Sequence, residues 1–238
     1  MENISEIVLN GLIWYAVFLF STTLHEAAHA LVALKLGDDT AYLGGQVSLD
    51  PIPHMRREIV GMLIVPLVSF VFYQFKWMLG WASAPYNPVW ARRYPKFAAY
   101  MALAGPLANA SLAIVAVICI HLGIYFGYFF EPNSIIFASV VGAFDSGIPT
   151  IAAKFFSILF SLNLLLFIFN LIPLPPMDGS ALFPLIVSED RALKIMDALH
   201  QPGLSLVGII IAWMIFGELF RPIFLIAVNL LYPGLTYH

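Results

Sequence analysis

Apolar residues fill this chain in long runs broken by short polar, glycine-rich or proline-rich stretches. That pattern predicts helices that cross a membrane rather than the one-sided stripes of a soluble fold. The first run predicts a helix from about Glu6 to Leu36, stopped by Gly37 and the Asp38-Asp39 pair. Later runs predict helices over about Lys96 to Phe130, Ile151 to Leu171 and Leu204 to Leu231, the last interrupted by Glu218, Arg221 and Pro222. Glu218 and Arg221, three apart on a helix, are expected to pair. Between the first two helices lies an apolar segment, Ile59 to Leu79, with Pro66 inside it and Lys76 near its end. It could span, re-enter or lie at the interface. Residues 40–49 are glycine-containing and alternate after Gly45, which predicts one or two short strands or an extended loop. Such an element is either a plain connector or an edge on which an unwound peptide could pair. Pro51 and Pro53 count against a helix just beyond it.

The pattern therefore describes an all-α polytopic membrane protein. It has about four spanning helices, one re-entrant or interfacial apolar segment and a short β or extended element after the first helix. Composition agrees: 61% of the 238 residues are hydrophobic, 11% are charged, and the mean hydropathy is +0.89, outside the soluble range. A net charge of -3 with no basic patch gives no footprint for nucleic acid. The lone Cys119 excludes an intramolecular disulfide and reads as a small buried hydrophobe. Glu2 and Glu6 precede the first apolar run, unlike the positive start of a signal peptide, so the first helix is expected to be retained. No repeat divides the chain, which reads as one domain over 1–238 with a core at about 6–185 and a C-terminal helix at about 204–231.

The chemistry concentrates in two distant stretches. His25-Glu26-Ala27-Ala28-His29 lies within the first helix. Four-residue spacing stacks the imidazoles on one face, where they can share a metal ion, with Glu26 at the edge to take a proton from water. The alternative is a pair of histidines hydrogen-bonded to neighbouring helices. A catalytic zinc needs a third protein ligand, and Lys35 stands where a third histidine would follow. Asp50 is set aside because its prolines disfavour the helix that such a ligand would need. Asp178 remains, fixed after the third spanning helix by Pro173, Pro175 and Pro176 and followed by Gly179.

The ligands can meet only if the first and third spanning helices run parallel, and the segment 59–79 must then enter and leave on one side. In that case Lys35, Arg56, Arg57, Lys76, Arg92, Arg93, Lys96, Arg191 and Lys194 share a side. By the positive-inside rule that side is the cytoplasm. His54 could touch the metal in a resting form or be a surface histidine, and His121 and His200 have no evident partner.

At these residues the chain resembles the site-2 protease family of intramembrane zinc metalloproteases, in a compact branch without a PDZ domain. The likeness is carried by His25-Glu26-x-x-His29, by Gly105-Pro106-x-x-Asn109 and by Asn170 to Gly179, and covers roughly residues 12 to 185. It departs from the family pattern at Leu171, where proline is usual, and at Met177, where leucine is usual. The resemblance implies one zinc ion per chain held by His25, His29 and Asp178, with Glu26 as general base. Asn170 and Asn109 would donate to the oxyanion or orient the substrate. It further implies a single-span membrane-protein substrate that unwinds locally, in the bilayer of a bacterial-type cell membrane, with the site nearer the cytoplasmic face. A noncatalytic helix- or metal-binding protein on the same scaffold and a metal or solute transporter are the alternatives.

Overall fold

Asn3 opens the first helix by accepting a hydrogen bond from the backbone of Ser5, and α1 then runs over Ile4–Lys35 until Gly37, at φ +100°, turns the chain. The computed structural model describes residues 3–199 and 201–238. Glu2 and His200, both considered above, lie outside the described residues. Buried Asp38 accepts from the backbone and hydroxyl of Thr40 and, at 2.8 Å, from the backbone of Asn87, tying the end of α1 to a distant loop.

Of the segment expected to form one or two short strands or an extended loop, the first part is one helical turn, α2 at Thr40–Leu43, followed by a turn at Gly44 and Gly45, and the rest is loop. The alternation after Gly45 is too short to pair, and no strand forms there. A second correction follows at once, because α3 occupies Pro51–Arg57. Asp50 caps it through the backbone N–H of Ile52, and both prolines fall in the first turn, where a missing N–H costs no intrahelical bond.

The segment after α3 enters and returns. A π turn at Val60–Ile64 leads into α4 at Val65–Phe72, and the chain then reverses through Gln74 and Phe75, both at positive φ. The return is extended: Leu79 N–H donates to Ser69 Oγ at 2.9 Å and Trp81 N–H to the Gly61 carbonyl at 3.1 Å. Ser83 ends up bonded to both Arg57 and Glu58. The helical arm, at ~1.5 Å per residue, reaches roughly 20 Å, and seven extended residues at ~3.3 Å cover about the same distance back. A segment too short for two helical crossings thus makes a deep hairpin, with its ends on one side as the ligand geometry requires.

The depth carries a correction. The tip meets the start of α1, where Asn10 donates to the Phe75 carbonyl at 2.6 Å and Trp77 packs on Trp14. Lys76 therefore lies at the end of the bundle remote from the histidines, beside Lys154 in a shared cavity, and leaves the basic cluster. Cysteines placed at Arg56 and Arg93 are expected to be labelled from one face of the membrane and a cysteine at Lys76 from the other. Labelling of all three from one face would contradict the hairpin.

A short helix, α5 at Pro88–Arg93, precedes α6 at Pro95–Tyr125. Gly127 ends that run, and Phe129–Phe130 (β1) pairs antiparallel with Gly142–Ala143 (β2), the only strands among the described residues. Then come α7 at Ile148–Asn170, α8 at Glu189–Leu199 and α9 at Leu204–Leu231. Helices α1, α6, α7 and α9 are long and apolar enough to cross a membrane. Along α1, Asn10 lies near Lys154 and Ser21 bonds Asn163, so α1 and α7 run parallel as expected. His29 bonds Met101 and His25 bonds Asn109, so α6 opposes them. The shared core includes Trp14, Val17, Ile120 and Ile158. Exposed faces of the four helices remain apolar, as lipid contact demands. Exposed α8 is held to the start of the α5–α6 region by the Arg92–Asp197 and Lys96–Glu189 ion pairs. Glu218 and Arg221 make no ion pair among the described residues, against expectation; both are exposed on α9.

Candidate metal centre

Two imidazoles and one carboxylate converge on a single buried point. His25 and His29, one turn apart on α1, place their Nε2 atoms 2.9 Å from each other. Asp178 Oδ2 lies 3.2 Å from Nε2 of His25 and 3.4 Å from Nε2 of His29. Among the described residues these three form the one group of metal-ligating side chains. His29 sits six residues inside the end of α1, about 9 Å along the axis.

Asp178 is brought there by the turn after α7. The proline run leaves the helix at Asn170, and Gly179 then packs on the carbonyls of Leu171 and Ile172 so closely that no side chain could replace its hydrogen. Ser180 closes the turn with its backbone and hydroxyl on the Met177 carbonyl. On the outside, Gly208 of α9 abuts the Pro175 carbonyl.

The protons on both imidazoles are fixed by their other nitrogens. Nδ1 of His29 donates to the Met101 carbonyl at 2.7 Å, and Nδ1 of His25 to Asn109 Oδ1 at 2.5 Å. Neutral rings so held present lone pairs at Nε2. Two nitrogen lone pairs and a carboxylate oxygen then face each other, and buried Asp178 Oδ2 has no hydrogen-bond partner among the described residues. Such a set repels itself unless a cation stands among its members. Ligand atoms ~2.1 Å from a tetrahedral zinc lie roughly 3.4 Å apart, and two imidazoles with one carboxylate are a zinc donor set that leaves a fourth position open. The residues present fit that ion.

Gly105 of α6 forms the wall of the site. A methyl group there would stand 2.5 Å from Nε2 of His25 and closer still to Nε2 of His29. Glu26 is buried beside the ligands, and its carboxylate makes no hydrogen bond or ion pair among the described residues. Asn109 is wholly buried, with its oxygen on His25 and its amide donating to Asn163 and the Ser21 carbonyl. It orients His25. Asn170, at the end of α7, donates to the Leu166 carbonyl at 3.0 Å and lies outside the ligand cluster. Asp50 is a helix cap on the surface. His54 is buried, away from the cluster, its Nε2 donating to the Ser48 carbonyl, so it is neither a zinc contact nor a surface residue. His121 is exposed and donates to Val117. Asn163 has no part in the sequence expectations above; the signal that marks it is a carboxamide in a mostly apolar run.

A four-helix membrane bundle with two histidines and a carboxylate grouped so that they could hold a metal ion defines a class, and similarity to known proteins narrows it. The model of peptidase family M50 matches residues 13–215, and the chain belongs to that family, the site-2 protease family of metallopeptidases. It is also 33% identical over 181 residues, 76% of this chain and 71% of the relative, to a Bacillus subtilis (strain 168) protein named "Putative zinc metalloprotease YwhC". No solved structure matches the chain.

Proposed function

We propose that the protein is an intramembrane zinc endopeptidase that hydrolyses a peptide bond in or near the transmembrane segment of a membrane-protein substrate, in regulated intramembrane proteolysis. The observation that carries this reading is the three-ligand cluster, set into a spanning helix beside an uncommitted buried carboxylate, Glu26. His25, His29 and Asp178 would hold the zinc, which when bound would supply Lewis acidity toward the scissile carbonyl and water. Glu26 accepts the proton of the attacking water and returns it to the leaving amine. Asn170 donates to the developing oxyanion or to the substrate strand on releasing the Leu166 carbonyl.

A substrate must be extended to be cut, since a helix shields its own peptide bonds. The returning arm of the hairpin suits that need better than residues 40–49. Along it, the amides of Leu79 and Trp81 bond inward, while those of Met78, Gly80 and Ala82 make no hydrogen bond among the described residues. The alternation is that of a strand edge, available for strand addition. Between this arm, α7 and α9 lies an apolar cleft of 270 Å³ that includes Phe18, Leu165, Phe169 and Phe216. Phe18 is seven residues before His25 on α1, about 10 Å away along the axis.

Lys35, Arg56, Arg57, Arg92, Arg93, Lys96, Arg191 and Lys194, eight of the eleven basic residues, gather at the metal end of the bundle. The positive-inside rule makes that end cytoplasmic. Reconstituted with a single-span substrate, the native chain should carry one zinc and cleave. Glu26→Gln should keep the zinc and lose ~10²–10⁴-fold in rate, the range for general acid–base catalysis. Cleavage by Glu26→Gln at the native rate, or by a native chain free of zinc, would sink the reading.

A further inference from the structure

We infer that Asn163, two residues removed from the metal, sets the tautomer of the ligand His25 and is a positioning residue for zinc. The inference rests on His25 being a metal ligand. Its starting point is a backbone carbonyl, which can only accept. Asn163 Nδ2 donates to the carbonyl of Leu159 at 2.8 Å, within α7, and also to Ser21 Oγ on α1 at 2.8 Å. Its amide nitrogen is therefore fixed on that side, and its Oδ1 must face α6.

There it accepts from Asn109 Nδ2 at 2.8 Å. Asn109 is thereby oriented as well, since the same nitrogen lies 3.4 Å from the Ser21 carbonyl. Its oxygen is left to face Nδ1 of His25 at 2.5 Å, so the imidazole must carry its proton on Nδ1 and present the lone pair at Nε2. The polarity of one peptide group in α7 passes through two carboxamides to a ligand on α1. Asn163, Asn109 and Ser21 are all 0% exposed, out of reach of bulk water. Outer partners of a ligating histidine fix its tautomer and orientation, and their loss typically weakens metal binding 10–100-fold.

The test measures zinc affinity by chelator competition on the full chain in detergent, with thermal unfolding as the control for folding. Asn163→Leu keeps the volume and removes the polarity; zinc should bind 10–100-fold more weakly. Asn163→Asp, protonated in this buried place, keeps the acceptor toward Asn109 and one of asparagine's two donors, and should bind within about threefold of native. Native-like affinity in Asn163→Leu, or equal weakening in both variants, would overturn the inference. Should Asn163→Leu fail to fold, ¹⁵N-histidine spectra of the metal-free native chain decide: a proton on Nδ1 of His25 supports it and one on Nε2 overturns it. A native chain that binds no zinc in the same assay would instead reject the metal reading itself.

Discussion

Gly105→Ala is expected to strip the protein of zinc while leaving its helices in place. The added methyl occupies the space where the two Nε2 atoms meet, 2.5 Å from that of His25. Its neighbours cannot yield easily: each ring is held at Nδ1, by Asn109 or by the Met101 carbonyl, and both hosts are buried. Overpacking of this kind costs about 1–3 kcal/mol, partly offset by the ~1 kcal/mol that alanine gains over glycine in a helix. The fold should therefore survive with little change in melting temperature, and the metal should not. Zinc content of the purified variant by atomic absorption, beside its thermal unfolding, checks this. One zinc per chain in Gly105→Ala would mean that α6 stands farther from the site than described.

The second large effect is expected at the root of the hairpin. Gly61 and Gly80 let the two arms touch backbone to backbone. A side chain on Gly80 would fall 2.5 Å from the Gly61 carbonyl, and one on Gly61 would fall 2.7 Å from Nε1 of Trp81. Gly61→Val should push the extended arm off its helical partner, break the Trp81 to Gly61 hydrogen bond and disorder the edge along Met78 to Ala82. Because the ligands lie on other elements, zinc should remain at one per chain. Peptide-bond cleavage should fall at least tenfold, and a cysteine at Ser83 should become more reactive. This outcome is the reverse of the Gly105 result, metal kept and turnover lost, so the two variants separate the metal site from the substrate edge. Unchanged cleavage in Gly61→Val would remove the hairpin from the proposed mechanism.

The spanning helices and the parallel arrangement of α1 and α7 were legible because long apolar runs and a fixed ligand set leave few choices. Asp178 was legible from its chemistry, as the carboxylate that three prolines hold still. What escaped were features that local rules price wrongly. Pro51 and Pro53 read as helix breakers, yet in a first turn they break nothing. The segment was expected to be re-entrant or interfacial, with Lys76 on the side of the basic cluster, because 21 residues cannot make two helical crossings. The chain instead changes rise per residue halfway, helical inward and extended outward, and so carried Lys76 to the far end. Asn109 was expected at the substrate and serves a histidine, because which neighbour a buried carboxamide finds depends on helix rotation, which spacing alone does not give.

The unpaired amides of the extended arm have a thermodynamic meaning. Met78 is buried and Gly80 and Ala82 are half-buried, so their N–H groups are poorly placed to be satisfied by bulk water, and an unsatisfied amide in an apolar setting costs several kcal/mol. On the proposed reading, a substrate strand offering three carbonyls relieves it, whatever its side chains. Affinity would then come from backbone hydrogen bonds rather than from side-chain pockets. Selectivity would fall to how readily a given transmembrane helix gives up its own hydrogen bonds, a property of its glycines and prolines more than of any recognition sequence.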